Sequence, residues 1–353
     1  MKNFYSLEVS EIISLTYDSV CIHFDISSVD NNIFSFVAGQ YITLQHSING
    51  EDVRRSYSIS CIPNQYKIEI GVKLVKNGLM STFLTKDLKV GDKINVMPPT
   101  GNFLLPTDNK NSKHYMAICA GSGITPALSM IQDVLCNEPN SSFTLLYGNK
   151  NRSSVMFKDD LLRLEKDFQS QFLTYHFFSR ENVQNCINGR INSSNLTTLF
   201  QDNASYKKID EFFICGPGEM IDTVRDFLCG INIDDNKIKF ERFTSTTKTA
   251  YIKNDNVSEV KSNVSVCVDG DDFEFSLSSK GDSILDAAME AGADVPFSCK
   301  GGVCCVCKAK LIEGTVSMDQ NFSLSQEEVE QGYILTCQSH PTSENVVVDF
   351  DEI

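Results

Sequence analysis

Four cysteines near the end of this 353-residue chain, Cys299, Cys304, Cys307 and Cys337, follow the spacing Cys-x4-Cys-x2-Cys with a distant fourth member. Gly301 and Gly302 stand inside the first interval, where backbone without a side chain can bend around inorganic sulfide and present N–H groups to it. This is the spacing of a plant-type [2Fe-2S] cluster. A structural zinc site is the alternative, but zinc ligands usually arrive as two close pairs, and here the fourth cysteine stands alone. Cys305 lies beside Cys304, and only Cys304 satisfies both intervals. Cys305 is accordingly read as a packed or solvent-facing thiol. A cluster of this kind moves one electron at a time, so the rest of the chain must supply a one-electron donor or convert hydride chemistry into single steps.

The remaining nine of thirteen cysteines sit mostly in apolar runs. The N-terminus, MKNFYSLEVSEII, has no basic region followed by an apolar stretch, and no run of about 18 apolar residues is present. The expected setting is cytoplasmic, with reduced thiols and a metal site rather than disulfides and with no membrane partner. The length allows two or three domains, each with its own core. From residue 263 onward there are 17 acidic and 4 basic residues, so that segment carries −13 of the net −15. Such a surface steers toward a basic docking patch on a partner protein and repels nucleic acid. A solvated acidic face serving solubility accounts for the same charge.

The expected fold is multidomain β and α/β. Residues 1–107 carry short β-branched runs at 37–44, 55–60, 66–74 and 93–97 between turn signals, the pattern of a small antiparallel β-barrel. One helical interruption covers 78–88, with Ser81 or Thr82 as its cap. Across 108–245, buried strands at 115–120, 143–147, 172–178 and 212–215 alternate with helical stretches, as in a parallel-sheet nucleotide-binding domain. Residues 246–262 are polar and lack an apolar period, which predicts a linker. The segment 263–353 then shows strands at 264–268 and 273–277, a helix over 283–291, the cysteine loop and a last strand at 346–350.

Two further constellations carry chemistry. Arg55-Ser-Tyr57-Ser58 lies on a predicted strand, where alternation puts Arg55 and Tyr57 on one face for a phosphate and an aromatic ring system, and Ser58 on the other. Twenty residues on, Gly78-Leu-Met-Ser81 opens a helix whose free N–H groups suit a pyrophosphate. In the second half, Gly121-Ser-Gly123-Ile-Thr125-Pro126 joins a strand to a helix, the context of a dinucleotide turn. Cys215-Gly216-Pro217 ends another buried strand at the same expected sheet edge. Ser179-Arg180 and Arg190 follow a third strand, where a 2′-phosphate would be read if NADPH is the donor. Surface arginines without a ligand explain them equally well.

In this order the motifs resemble the ferredoxin-NADP reductase superfamily with a C-terminal plant-type ferredoxin domain, and within it the reductase subunits of phenylacetyl-CoA epoxidases. Segments such as RRSYSIS, AGSGITP, FICGP, ERF and SILDAAMEAGADVPFSCKGGVC carry the likeness along essentially the whole chain. The resemblance implies FAD in the first domain, an NAD(P)H site in the second and a [2Fe-2S] cluster in a β-grasp third domain. It also implies that Arg55, Tyr57 and Ser58 line the flavin, and that Gly78 and Ser81 form its pyrophosphate turn. Gly123, Thr125 and Cys215 would border the nicotinamide, and Glu241 to Phe243 would close over the flavin. The family usually has a small residue where Cys305 stands. The implied activity is electron transfer from NAD(P)H through FAD and the cluster to an acceptor, most simply a di-iron oxygenase. A hybrid-cluster protein, another oxygenase, a desaturase, or a role as a redox-responsive binding protein are the rival readings.

Overall fold

The computed structural model describes residues 4–30, 32–63, 67–243 and 259–352. They divide into two compact units, the first spanning 4–53 and 57–243 and the second 54–56 together with the described part of 244–353.

The first unit begins with six strands: β1 (Tyr5–Thr16), β2 (Ser19–Asp25), β3 (Tyr41–Ile48), β4 (Glu51–Ser58), β5 (Lys67–Lys73) and β6 (Lys93–Thr100). Their order is β4-β3-β6-β1-β2-β5. A bridge between Ile59 and Ile70 joins the two edges, and Ser60 N–H donates to the Glu69 carbonyl at 2.8 Å, which closes the sheet into the expected barrel. Alternate residues such as Ile22, Phe24, Ile68 and Ile70 point inward and are fully buried. The strands at the N-terminus, β1 and β2, were not among the predicted runs. β1 alternates only around Leu7 and Val9 before a register shift, and β2 is buried on both faces from Cys21 to Phe24, so neither shows a sustained period of two.

The helical interruption is shorter and differently capped than predicted. Helix α1 covers Leu79–Thr82 and continues as a five-residue π-helical turn, Phe83–Asp87. Gly78 is its N-cap, and neither Ser81 nor Thr82 fills that role. Both lie inside the turn, and their hydroxyls bond back to the Gly78 carbonyl at 3.2 and 2.7 Å.

The parallel sheet contains β7 (His114–Ala120), β8 (Ser142–Asn149), β9 (Phe172–Phe178), β10 (Ile187–Asn188), β11 (Glu211–Gly216) and β12 (Ile238–Arg242). The order β10-β9-β8-β7-β11-β12 reverses direction between β8 and β11, on either side of β7. That switch point opens a crevice at the carboxyl ends of β7 and β11. Helices α2 (Ile124–Asn137), α3 (Lys158–Asp167), α4 (Ser193–Asp202) and α5 (Gly218–Gly230) cover the two faces. One core cluster runs without a break from Cys21, Ala38, Phe103 and Leu105 of the barrel region into Tyr115, Ile131 and Phe213 of this layer. The barrel keeps a core of its own, and this further cluster joins it to the parallel sheet.

The second unit holds β13 (Lys261–Val268), β14 (Asp271–Ser278), α6 (Ile284–Glu290), β15 (Lys308–Glu313), β16 (Val316–Met318), α7 (Gln326–Glu330), β17 (Tyr333–Leu335), β18 (Ser339–Pro341) and β19 (Asn345–Asp349). Its main sheet runs β14-β13-β19-β15-β17, with β13 and β19 parallel at the centre and α6 packed across it. This is the β-grasp arrangement. Ser283 caps α6 by accepting from Asp286 N–H at 3.2 Å. Most of the predicted linker lies outside the described residues, and its last two residues, Lys261 and Ser262, belong to β13, where they pair with Ser278 and Leu277.

Candidate functional site

At the switch point, β7 runs into a 3-10 turn, Gly121–Gly123, and then α2, in which Pro126 occupies the first turn as predicted. Gly121 has φ +56°, and a Cβ built on it would meet nothing within 4 Å, so its backbone faces open space. Gly123 is different: a Cβ there would lie 2.1 Å from the Cys215 carbonyl oxygen. Only glycine lets the turn after β7 pass so close to the end of β11. Gly216 is also confined, with the Met220 methyl 2.7 Å from its would-be Cβ. Thr125 is buried, donates to the Ser122 carbonyl at 3.0 Å, and lies against Gly71 of β5. It anchors the turn to the barrel.

The parallel register pairs Cys215 of β11 with Glu241 of β12. From the barrel, the hydroxyl of Ser58, at the end of β4, donates to Glu241 Oε2 at 3.2 Å. Three residues from separate stretches of sequence thus meet in one place. Glu241 keeps some exposed surface, yet its carboxyl group is stripped of water and is pushed up to about 8, burial outweighing the Ser58 hydrogen bond that pulls it down. Cys215 is fully buried, and its thiol is driven well above its ordinary value by that burial and then by the neighbouring Glu241 carboxylate. At neutral pH all three side chains hold their protons.

Tyr57 is half-buried against the barrel core, whereas Arg55 is exposed and its Nη1 donates to the Arg54 carbonyl at 2.6 Å. Ser81 is buried and accepts from Val75 N–H at 3.1 Å, which ties down the loop before Gly78. Ser179 and Arg180 are exposed at the end of β9, held by backbone bonds to Asn149 and Lys150. Pro217 is the N-cap of α5. Tyr147 was not anticipated: its hydroxyl donates to the Gly121 carbonyl at 2.9 Å and fixes the glycine turn from β8. An aromatic in a buried strand gives no sequence signal for that task.

In the second unit the cysteine loop curls as its glycines suggested, with Lys300 and Gly302 at φ +48° and +69°. Gly301 N–H points at Cys299 Sγ at 3.3 Å, and the Cys304 and Cys299 sulfurs are 3.1 Å apart. Thr336, through its N–H and its hydroxyl, binds the Cys307 carbonyl at 3.1 and 3.0 Å and so delivers Cys337 to the loop. Hydrogen bonding among the four sulfurs pulls Cys299 and Cys307 down and pushes Cys304 and Cys337 up. Cys305 turns elsewhere, its thiol directed at the Ser323 carbonyl at 3.5 Å.

Three family profiles match the chain: an oxidoreductase FAD-binding domain over residues 6–104, an oxidoreductase NAD-binding domain over 117–226 and a 2Fe-2S iron-sulfur cluster binding domain over 266–342. One component of the 1,2-phenylacetyl-CoA epoxidase of Escherichia coli (strain K12) is 38% identical over 354 residues, covering 99% of each chain. The chain belongs to the ferredoxin-NADP reductase superfamily. Like this reductase, the ferredoxin reductase component of 3-ketosteroid-9-alpha-monooxygenase from Mycobacterium tuberculosis spans all three parts, at 31% identity over 98% of this chain and 96% of its own. Among solved structures, phthalate dioxygenase reductase aligns with a TM-score of 0.62 at 25% identity, covering 98% of both chains. The reductase is a flavoprotein oxidoreductase with FAD-binding, NAD-binding and [2Fe-2S] domains, as expected from its motifs. Its residues fit these groups: four convergent sulfurs for the cluster, open backbone at Gly121 for a pyrophosphate, and a proton-bearing trio where barrel and sheet meet. Among the described residues no helix is long and apolar enough to cross a membrane.

Proposed function

We propose that this reductase serves a multicomponent di-iron oxygenase acting on an aryl-CoA thioester, with NAD(P)H as its electron source. The observation that carries the partner is the 38% identity to the epoxidase component, end to end in both chains. Bound FAD would accept a hydride from the nicotinamide and release electrons singly through the [2Fe-2S] cluster, chemistry that belongs to the cofactors.

The chain's own residues position and tune. The Gly78–Ser81 turn would hold the flavin pyrophosphate and Tyr57 would lie against the ring; Arg55 would pair with a phosphate. Gly121 admits the nicotinamide pyrophosphate, and Gly216 and Pro217 form the opposite lip of the crevice. Ser179 and Arg180 would bind the 2′-phosphate if NADPH is the donor. The Ser58 hydroxyl and the Glu241 carboxyl keep a proton next to the place where negative charge arrives, and Cys215 fills the space beside them without adding charge. An ionised Glu241 there would oppose that arrival. Cys299, Cys304, Cys307 and Cys337 hold the cluster, and the acidic C-terminal segment meets a basic face on the oxygenase.

The test is reconstitution. Purified reductase is mixed with the oxygenase components of phenylacetyl-CoA epoxidase or, separately, with the oxygenase of 3-ketosteroid-9-alpha-monooxygenase, and NAD(P)H oxidation coupled to substrate oxygenation is measured. Coupling with the first alone supports the proposal. Coupling with the second alone, or with neither while an artificial acceptor is still reduced, removes the partner assignment and leaves the reductase activity standing.

A further inference from the structure

On the outer wall of the barrel, Glu11, His23 and Glu69 stand in one row across three adjacent strands. The register pairs Glu11 of β1 with His23 of β2, and His23 with Glu69 of β5. Cys21, two residues before His23, shares its face, while Ile22 and Ile70 between them point into the barrel. Cys21 Sγ, a ring nitrogen of His23 and a carboxylate oxygen of Glu69 all lie within 4.8 Å of one another.

The row also fixes how the imidazole is turned. His23 Nδ1 lies 3.0 Å from Glu11 Oε2, an ion-pair contact that holds the ring from the Glu11 side. Nε2 lies 3.8 Å from Glu69 Oε1, too far for a hydrogen bond. A ring nitrogen, a carboxylate and a sulfur brought this close offer one donor atom each to a cation. A carboxylate set against the far nitrogen of a histidine is the arrangement that orients metal-bound imidazoles. Cys21 and His23 are buried, Glu69 is half-buried and Glu11 is exposed, which leaves an approach from solvent. Among the described residues Lys67 is the competing charge, its ammonium ion-paired with Glu69 Oε1.

We propose that Cys21, His23 and Glu69 form a binding site for a borderline divalent cation, zinc by the donor set, with Glu11 as the residue that orients His23. One sulfur, one nitrogen and one oxygen match zinc's preferences, and water can complete a tetrahedron. Cys21 faces the cluster that joins the barrel to the parallel sheet, so a bound ion would tie β2 and β5 together beneath that seam.

The test uses holoprotein freed of loose metal on a chelating resin and titrated with zinc against a chromophoric chelator, with the visible flavin and cluster bands recorded throughout. The expected result is one tight zinc per chain, bands unchanged, and a Tm raised by roughly 5 °C at a hundredfold excess over Kd. Cys21→Ser and His23→Gln should each weaken binding by 100-fold or more, and Glu11→Gln by about 10- to 100-fold. Lys67→Ala should tighten it by removing the competitor. Zinc uptake that bleaches the cluster bands would place the metal at Cys299 and its neighbours and overturn the proposal. So would binding that is indifferent to Cys21→Ser and His23→Gln in variants that retain both chromophores, or weaker binding in Lys67→Ala.

Discussion

Glu241 illustrates how a single residue acquires its chemistry from its surroundings. Its carboxyl ionises at about 8 when folded against an ordinary 4.5, so the native state holds a proton that the unfolded chain gives up between those values. Stability from this group is therefore full below about pH 4.5 and drains away as pH rises through 8. Thermal melts from pH 5 to 9 should show that decline, and Glu241→Gln should flatten it. If the carboxyl must be neutral to act, kcat/KM for NADPH falls above pH 8 in the native protein, and Ser58→Ala lowers kcat by roughly 100-fold with the flavin still bound. At the cluster, Cys304→Ser should abolish the iron-sulfur absorbance and Cys305→Ser should leave it, because the Cys305 thiol is turned to Ser323. Retained absorbance in Cys304→Ser would transfer the ligand role to its neighbour. Arg180→Ala should raise KM for NADPH by about tenfold and leave NADH unaffected, the loss of one charge-assisted contact; equal changes for both nucleotides would remove Arg180 from 2′-phosphate recognition.

The glycine turn after β7 shows what an element contributes. Gly121→Ala places a methyl group in open space at positive φ, which costs about 1 kcal/mol, but that space is where a pyrophosphate must approach. Gly123→Ala forces a methyl group onto the Cys215 carbonyl and should cost about 3 kcal/mol or more. The expected contrast is a raised KM with a near-normal Tm for the first and a Tm lowered by roughly 6 °C or more for the second, read by calorimetry and steady-state kinetics. The turn itself was legible because glycines between an apolar strand and a helical run have few other uses. Strand β12 was not, since the alternation of Ile238 and Phe240 with Lys239 and Glu241 is too short to stand out, and it is this strand that carries Glu241. The helix near Gly78 was read at the right place with the wrong cap. Serine and threonine favour caps in general, but here their hydroxyls bond back to the Gly78 carbonyl.

At the scale of the whole molecule, charge is segregated: the segment from residue 263 carries −13 of −15. Electron delivery to a partner with a basic face should slow by about tenfold or more between 50 mM and 500 mM salt, while reduction of a neutral artificial acceptor stays constant. An equal loss in both assays would locate the salt effect at the nucleotide site. The sequence by itself determined the kinds of domain and their cofactors, because cluster spacing, strand-to-helix glycines and hydrophobic period are local and each restricts the backbone within a dozen residues. Tertiary structure alone decided that Ser58, Cys215 and Glu241, spread over 183 positions, meet at one point. It alone decided that one cluster joins barrel and sheet and that Glu11, His23 and Glu69 align across three strands. Those outcomes depend on strand register and on the sequence of strands within a sheet, which the pattern of any one segment does not encode.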